Sequence, residues 1–124
     1  MDMRGYQRYR ENSLNTMPHG QLLLLLYDEL IKRLTQAGLE LRREQYPVFE
    51  GAVDRSLEII RYLDSTLDRK YPISQNLSQL YEYFCYELSR VKAGRNATEL
   101  ARVKGMASEL RDSFRQADKN QTER

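Results

Sequence analysis

Apolar residues recur along this chain at three-, four- and seven-residue steps in four successive stretches. The first series is Leu23, Tyr27, Leu30, Leu34 and Leu41, and the second is Phe49, Val53, Ile60, Leu63 and Leu67. The third is Ile73, Leu77, Leu80, Phe84, Leu88 and Val91, and the fourth is Leu100, Val103, Ala107, Leu110 and Phe114. These steps follow the helical period, and no stretch alternates as a half-buried strand does. The pattern predicts an all-α protein.

Breaks between the four stretches carry the residues that end and begin helices. Pro18, Pro47 and Pro72 each fall at a break, and proline is tolerated in the first turn of a helix. The sequence NATE at residues 96–99 predicts a capping box, and Gly94 is placed to end the third helix in a left-handed conformation. Connections of about four to six residues favour antiparallel neighbours.

The sequence therefore predicts an antiparallel up-and-down four-helix bundle with an N-terminal arm. Residues 1–15 form the arm, residues 16–117 form the bundle, and residues 118–124 are predicted to be a frayed tail.

Five consecutive leucines, Leu22 to Leu26, point in every direction around the first helix, because successive residues are about 100° apart. The apolar arc of this helix spans about 160°, whereas a helix at the corner of a bundle needs somewhat more than 100°. Leu24 and Ile31 lie at the edge of that arc, and Leu25 and Leu39 lie further round. On the third helix, Tyr83 points away from the inner face.

Two interpretations of this surplus stay open. It is a wide core with ordinary exposed apolar residues, which are normal on monomers. Alternatively, it is a surface covered by a partner helix, by a second copy of the chain, or by the arm.

Composition and charge give no support to catalysis. The single histidine, His19, and the single cysteine, Cys85, form no zinc motif, and no Glu-x-x-His or glycine-rich phosphate loop occurs. We therefore expect no metal, no cofactor and no enzymatic activity.

A net charge of +2 argues against nucleic-acid binding. The leucine run is too short for a membrane span, the first residues do not form a signal peptide, and the lone cysteine fits the cytoplasm.

Several stretches together resemble one known family. They are YRENSLNT at 9–16, Pro18 followed by QLLLLLYDELIKRL at 21–34, STLD at 65–68, NLSQLYEYFCYEL at 76–88 and ELRDSFRQA at 109–117. In this combination the chain resembles the FliS family, the flagellin-specific export chaperones of bacterial flagella, from about Tyr6 to Ala117. It departs from the family pattern at Arg10, at Met17, and at Phe114, where many relatives have tryptophan.

The resemblance implies a cytoplasmic helical bundle that binds the disordered C-terminal segment of flagellin. Binding would prevent premature polymerisation and assist delivery to the cytoplasmic domain of the flagellar export gate. Leu24, Ile31, Ile59 and Tyr83 are the docking residues that we predict for flagellin. We predict that Tyr6, Tyr9 and Leu14 form a movable cover on the arm. The competing hypothesis is a homodimeric helical assembly or adaptor protein without a flagellin client.

Overall fold

The computed structural model describes residues 19–122, and these residues form four α-helices. The helices are α1 (His19–Arg42), α2 (Tyr46–Ser65), α3 (Pro72–Gly94) and α4 (Ala97–Thr122). No strand occurs within this range, so the predicted all-α fold is confirmed.

Each helix packs against two neighbours, which gives the helices a cyclic arrangement. Helix α1 contacts α2 and α4, and α3 contacts the same two helices from the opposite corner. Because the turns α1–α2 and α3–α4 contain only two or three residues, the helices that they join are antiparallel. The architecture is the predicted up-and-down four-helix bundle.

The helix ends agree with most of the predicted signals. Pro47 lies in the first turn of α2, and Pro72 is the first residue of α3. The side-chain oxygen of Asn96 accepts a hydrogen bond from the backbone N–H of Glu99 (3.0 Å), as a capping residue does. The prediction for Gly94 is wrong, since the left-handed residue is Arg95 (φ 52°, ψ 46°). The Arg95 guanidinium lies 3.5 Å from the centre of the Tyr46 ring, a contact that glycine cannot make.

Buried side chains from all four helices form one core. Its largest fully enclosed members are Tyr27, Tyr81, Phe49, Phe84, Leu30, Leu34, Ile60, Leu63 and Leu88. Within the leucine run, Leu22 and Leu26 are buried, whereas Leu25 is 43% exposed. The bundle thus leaves part of the run uncovered, as the helical period predicts.

The end of α4 differs from the prediction. Residues 118–124 are predicted to be a frayed tail, but α4 continues to Thr122. Asp118 packs against the start of α1, so closely that a Cβ added at Gly20 would overlap the Asp118 carboxylate. This tertiary contact supports the last turns of α4. The arm at residues 1–15 lies outside the described residues.

Candidate functional site

An open cavity of about 720 Å³ lies at the end of the bundle where α1 begins and α4 ends. We call it the end cavity. It is bounded by the first turns of α1 and α3, the α2–α3 connection and the last turns of α4. Its apolar lining consists of Leu23, Leu67, Tyr71, Ile73, Leu77, Tyr81, Phe114 and Ala117. A concave, mainly apolar surface of this volume is typical of a binding site.

Two large side chains stand exposed at the mouth of the end cavity. Tyr71 is 61% exposed and Ile73 is 58% exposed. The helical period predicts that Ile73 lies on the buried face of α3, together with Leu77 and Phe84, and that prediction is wrong. Ile73 lies in the first turn of α3, beyond Ser65, the last residue of the neighbouring α2. Exposed apolar side chains beside a cavity indicate a contact surface.

The inner wall of the end cavity includes Tyr81, which forms a pair with a tyrosine of the diagonal helix. The hydroxyls of Tyr27 in α1 and Tyr81 in α3 are hydrogen-bonded to each other, and both residues are buried. Burial raises the pKa of both hydroxyls, so the pair is neutral around pH 7.

Two carboxylates are among the side chains that line the end cavity. Asp68 and Asp118 are among its lining residues, and the lining residues within the described chain include no lysine or arginine. The Asp68 carboxylate accepts a hydrogen bond from the backbone N–H of Lys70 (3.0 Å), which holds the α2–α3 connection in its turn.

A half-buried apolar stripe continues from the end cavity between α3 and α4. We call this stripe the α3–α4 seam, and it consists of Leu77, Leu80 and Tyr83 on α3 and Met106, Leu110 and Phe114 on α4. At 1.5 Å per residue, the stripe on each helix is about 9–12 Å long. Leu77 and Phe114 also line the end cavity, so the two surfaces are continuous.

Comparison with known proteins agrees with this architecture. The sequence matches the family described as Flagellar protein FliS over residues 2–121. The chain belongs to the FliS family. It is similar to the flagellar secretion chaperone FliS of Bacillus subtilis (strain 168), with 28% identity over 112 residues, 90% of this chain and 84% of that protein. FliS is a family of chaperones, so the expectation that this chain is not an enzyme is confirmed.

A solved structure also shares the FliS bundle. It is described as a flagellar chaperone from bacteria, and it superposes with a TM-score of 0.78 over 97% of this chain and 99% of that one. The identity is 19%, so this likeness concerns the fold.

Two of the predicted docking residues lie on one flank of α1 in this FliS-family chain. Leu24 and Ile31 are half-buried, and they share their helix face with Asp28, four and three residues away. The Asp28 carboxylate pairs with Arg111 (3.5 Å) and Arg115 (3.4 Å) of α4. Leu24 and Ile31 therefore border the α1–α4 contact.

The other two predicted docking residues lie elsewhere. Ile59 is only 9% exposed and belongs to the core. Tyr83 is half-buried on the α3–α4 seam, where its hydroxyl accepts a hydrogen bond from the Arg102 guanidinium (2.6 Å). The structure does not bring the four residues together on one surface. Tyr6, Tyr9 and Leu14 lie outside the described residues, so the proposed cover stays a prediction.

The helical period does not predict the end cavity. Its one signal in the sequence is Tyr71-Pro72-Ile73, which places two large apolar residues at a helix connection where polar residues are usual.

No chemistry beyond binding emerges from the remaining side chains. Cys85 is half-buried, and burial raises the pKa of its thiol, which opposes nucleophilic reactivity. Between residues 19 and 122, no cluster of potential metal ligands occurs, and no helix is long and apolar enough to cross a membrane.

Proposed function

We propose that this chain is a cytoplasmic export chaperone that binds the disordered C-terminal segment of flagellin. The observation that carries the proposal is the end cavity, with Tyr71 and Ile73 exposed at its mouth and the α3–α4 seam leading away from it. A bound segment would be unavailable for premature polymerisation. The proposal includes delivery to the cytoplasmic domain of the flagellar export gate, which the family resemblance implies.

The physical mechanism is coupled folding and binding. A disordered amphipathic segment becomes helical when its apolar face docks on an apolar groove. Ordering such a segment costs about 2–5 kcal/mol or more. Full burial of one large apolar side chain contributes about 1.5–3 kcal/mol. Several contacts are therefore needed, and the end cavity together with the seam provides room for several side chains.

The arm is close enough in sequence to the end cavity to cover it before the client binds. The arm leads into α1 at His19, and the next residue, Gly20, lines the end cavity. Leu14 is five residues from His19, a reach of at most about 17 Å in an extended chain. We propose that Tyr6, Tyr9 and Leu14 occupy the mouth in the free protein and that flagellin displaces them.

The predicted docking residues contribute unequally to this proposal. Tyr83 extends the surface along the α3–α4 seam, and Leu24 and Ile31 extend it along the α1–α4 contact. Ile59 is enclosed, so direct contact with flagellin would require α2 to separate from its neighbours.

A homodimer is the alternative use of the uncovered surface. Leu25 and Leu39, which are 43% and 37% exposed, lie on the solvent-exposed face of α1, near Asp28 on the helical wheel. A second copy of the chain would cover them.

One experiment separates the two functions. Purified protein is mixed with flagellin from the same genome, either intact or without its last few dozen residues, and complexes are measured by pull-down and light scattering. We expect a defined heterocomplex with intact flagellin and none with the truncated form. Equal capture of both forms, or a homodimer that ignores flagellin, would contradict the proposal.

A further inference from the structure

The α3–α4 seam changes from apolar to charged toward the turn that joins the two helices. Glu87 on α3 lies seven residues after Leu80, and Glu99 on α4 lies seven residues before Met106. Seven residues are about two helical turns, so each glutamate lies on the side of its helix that carries the seam. Glu87 is only 7% exposed, and Glu99 is half-buried. The end of the seam therefore holds two carboxyl groups away from bulk water.

These two carboxyl groups contact each other. The Glu87 side chain is hydrogen-bonded to the Glu99 side chain, and this contact is the largest of the influences that lower the pKa of Glu99. The Glu99 Oε2 atom is buried, and no amide, guanidinium or hydroxyl hydrogen of the described residues reaches it. Ionised carboxylates only accept hydrogen bonds, so a bond between two carboxyl groups needs a proton on one of them. Since the pKa of Glu99 is lowered, the proton lies on Glu87.

Two arginines and a tyrosine surround the pair. On α4, Arg102 Nη1 lies 3.2 Å from Glu99 Oε1, and Arg102 Nη2 donates to the Tyr83 hydroxyl of α3 (2.6 Å). On α3, Arg90 Nη1 lies 3.7 Å from Glu87 Oε1. Both arginines are exposed, so they hold the outer oxygens of the pair and leave the buried contact to the two glutamates.

Charged groups of the other helices face away from the pair. Lys92 lies five residues after Glu87, about 140° round α3, and there it pairs with Asp54 of α2 (2.9 Å). Arg111 lies twelve residues after Glu99, about 120° round α4, and it pairs with Asp28 of α1 (3.5 Å). The proton balance of the pair is therefore set by groups on α3 and α4.

We propose that Glu87 and Glu99 share one proton and form a pH-sensitive clasp between α3 and α4. With the proton in place, one hydrogen bond joins the two helices beside the seam. When the proton passes to water, two carboxylates remain in contact at a largely buried position and repel each other. The clasp therefore loosens as the pH rises, and the α3–α4 seam opens more easily. The clasp belongs to the bundle itself, so this inference goes beyond the proposed function and does not depend on the client.

The two glutamates have opposite effects on the pH dependence of stability. A glutamate of the unfolded chain loses its proton near pH 4.3, whereas the folded pair keeps one proton above that pH. Unfolding then releases a proton, so stability falls as the pH rises until the pair itself is ionised. The lowered pKa of Glu99 adds stability that is present above about pH 4.3 and lost in more acidic solution. Measurements between pH 5 and 8 are therefore sensitive to the shared proton.

The test is urea unfolding of the full chain and of Glu87→Gln between pH 5 and 8. The amide of Glu87→Gln donates to Glu99 at every pH, because it has no proton to lose. We expect the ratio of folded to unfolded protein to fall about tenfold or more across this range in the unaltered chain, relative to Glu87→Gln. A purely structural role of Glu87 would change stability equally at every pH.

Two further variants control this comparison. Glu82→Gln removes a charge at an exposed position of the same helix, and its pH dependence should match that of the unaltered protein. Glu99→Gln removes the other member of the pair and leaves an amide that donates to the Glu87 carboxylate. It should lack the extra pH dependence, as Glu87→Gln does.

A carbon-13 NMR titration of the glutamate carboxyl groups measures the proton in the unaltered chain. One carboxyl signal should titrate above pH 5, and Glu87→Gln should lack it. Two results would overturn the inference: the same pH dependence of stability in the unaltered chain and Glu87→Gln, or glutamate signals that all complete their titration below pH 5. If Glu87→Gln does not fold, Glu99→Gln and the NMR titration decide. Both measurements are made without flagellin, so the proposed function would stand in either case.

Discussion

The ring of Phe114 in α4 stacks on the ring of Tyr27 in α1, with centroids 5.5 Å apart and planes inclined by 23°. Tyr27 is fully enclosed, whereas Phe114 is half-buried and lines the end cavity. The stack therefore connects the wall of the cavity directly to the core. A ligand that contacts Phe114 is one side chain away from the centre of the bundle.

Phe114→Trp should report on occupancy of the end cavity. The chain contains no tryptophan, so the new indole would be its only one, and the cavity has room for the larger ring. We expect tryptophan emission to shift to shorter wavelength when flagellin binds, because the ring loses contact with water. Val48→Trp, at a 44% exposed position at the other end of the bundle, should show no shift.

Ile73→Asp should abolish flagellin binding without unfolding the protein. Ile73 is 58% exposed and lies in the first turn of α3, where an acidic residue favours the helix dipole. The matched control is Val48→Asp, which places the same charge at an exposed β-branched position in the first turn of α2. Pull-down and circular dichroism check the result. If the two variants bind equally well, the end cavity is not the docking surface.

Neighbouring leucines in the run should differ sharply in their contribution to stability. Leu26 is 5% exposed and belongs to the core, so Leu26→Ala should lower the free energy of unfolding by about 2–5 kcal/mol. Leu25→Ala should cost less than about 1 kcal/mol, because its side chain is 43% exposed. Urea unfolding measures both values. Equal losses would show that Leu25 is covered in solution, as in a homodimer.

Alkaline pH should destabilise the fold through the buried tyrosine pair. Burial raises the pKa of Tyr27 and Tyr81 in the folded state, so their stabilising effect is complete below about pH 10, where unfolded tyrosine titrates. Above that pH the unfolded chain releases protons that the folded chain retains, and stability falls by at most about 1.4 kcal/mol per pH unit for each tyrosine. Tyr27→Phe should reduce this slope in urea unfolding between pH 7 and 11. An unchanged slope would contradict the burial of Tyr27.

Deletion of residues 1–10 should raise the affinity for flagellin. The deletion removes Tyr6 and Tyr9, and a cover that competes for the end cavity weakens the apparent affinity of the client. Calorimetry with a synthetic peptide that spans the last few dozen residues of flagellin measures the change. As a control, replacement of Tyr6 and Tyr9 by serine keeps the length of the arm and should have the same direction of effect. Unchanged affinity in both variants would remove the arm from the mechanism.

The fold follows from the sequence because each helix carries a clear apolar stripe. Periodicity identified Leu30, Phe49, Phe84 and Val103 as inward positions, and all four are buried. Periodicity also indicated that Leu25 would remain uncovered. These features depend only on the spacing of residues within one helix, so the sequence of that helix is enough to predict them.

The site could not be predicted in the same way because it depends on where helices end relative to one another. Ile73 has the spacing of a core residue, but α2 stops before it can cover Ile73. Ile59 has the spacing of a flank residue, but packing encloses it. The helical period shows which face of a helix is most apolar. It does not show which other helix packs against each side of that face, because that depends on the tertiary fold.

Unequal helix lengths create the concave end of this protein. Helix α2 has 20 residues and α4 has 26, a difference of about 9 Å along the bundle axis. Since short turns align the helices at the opposite end, the whole mismatch accumulates beside the first residue of α1. Adding or removing one turn at the end of α4 would therefore change the depth of the concave end without changing the packing of the core. Selection for different clients can act on the length of this helix.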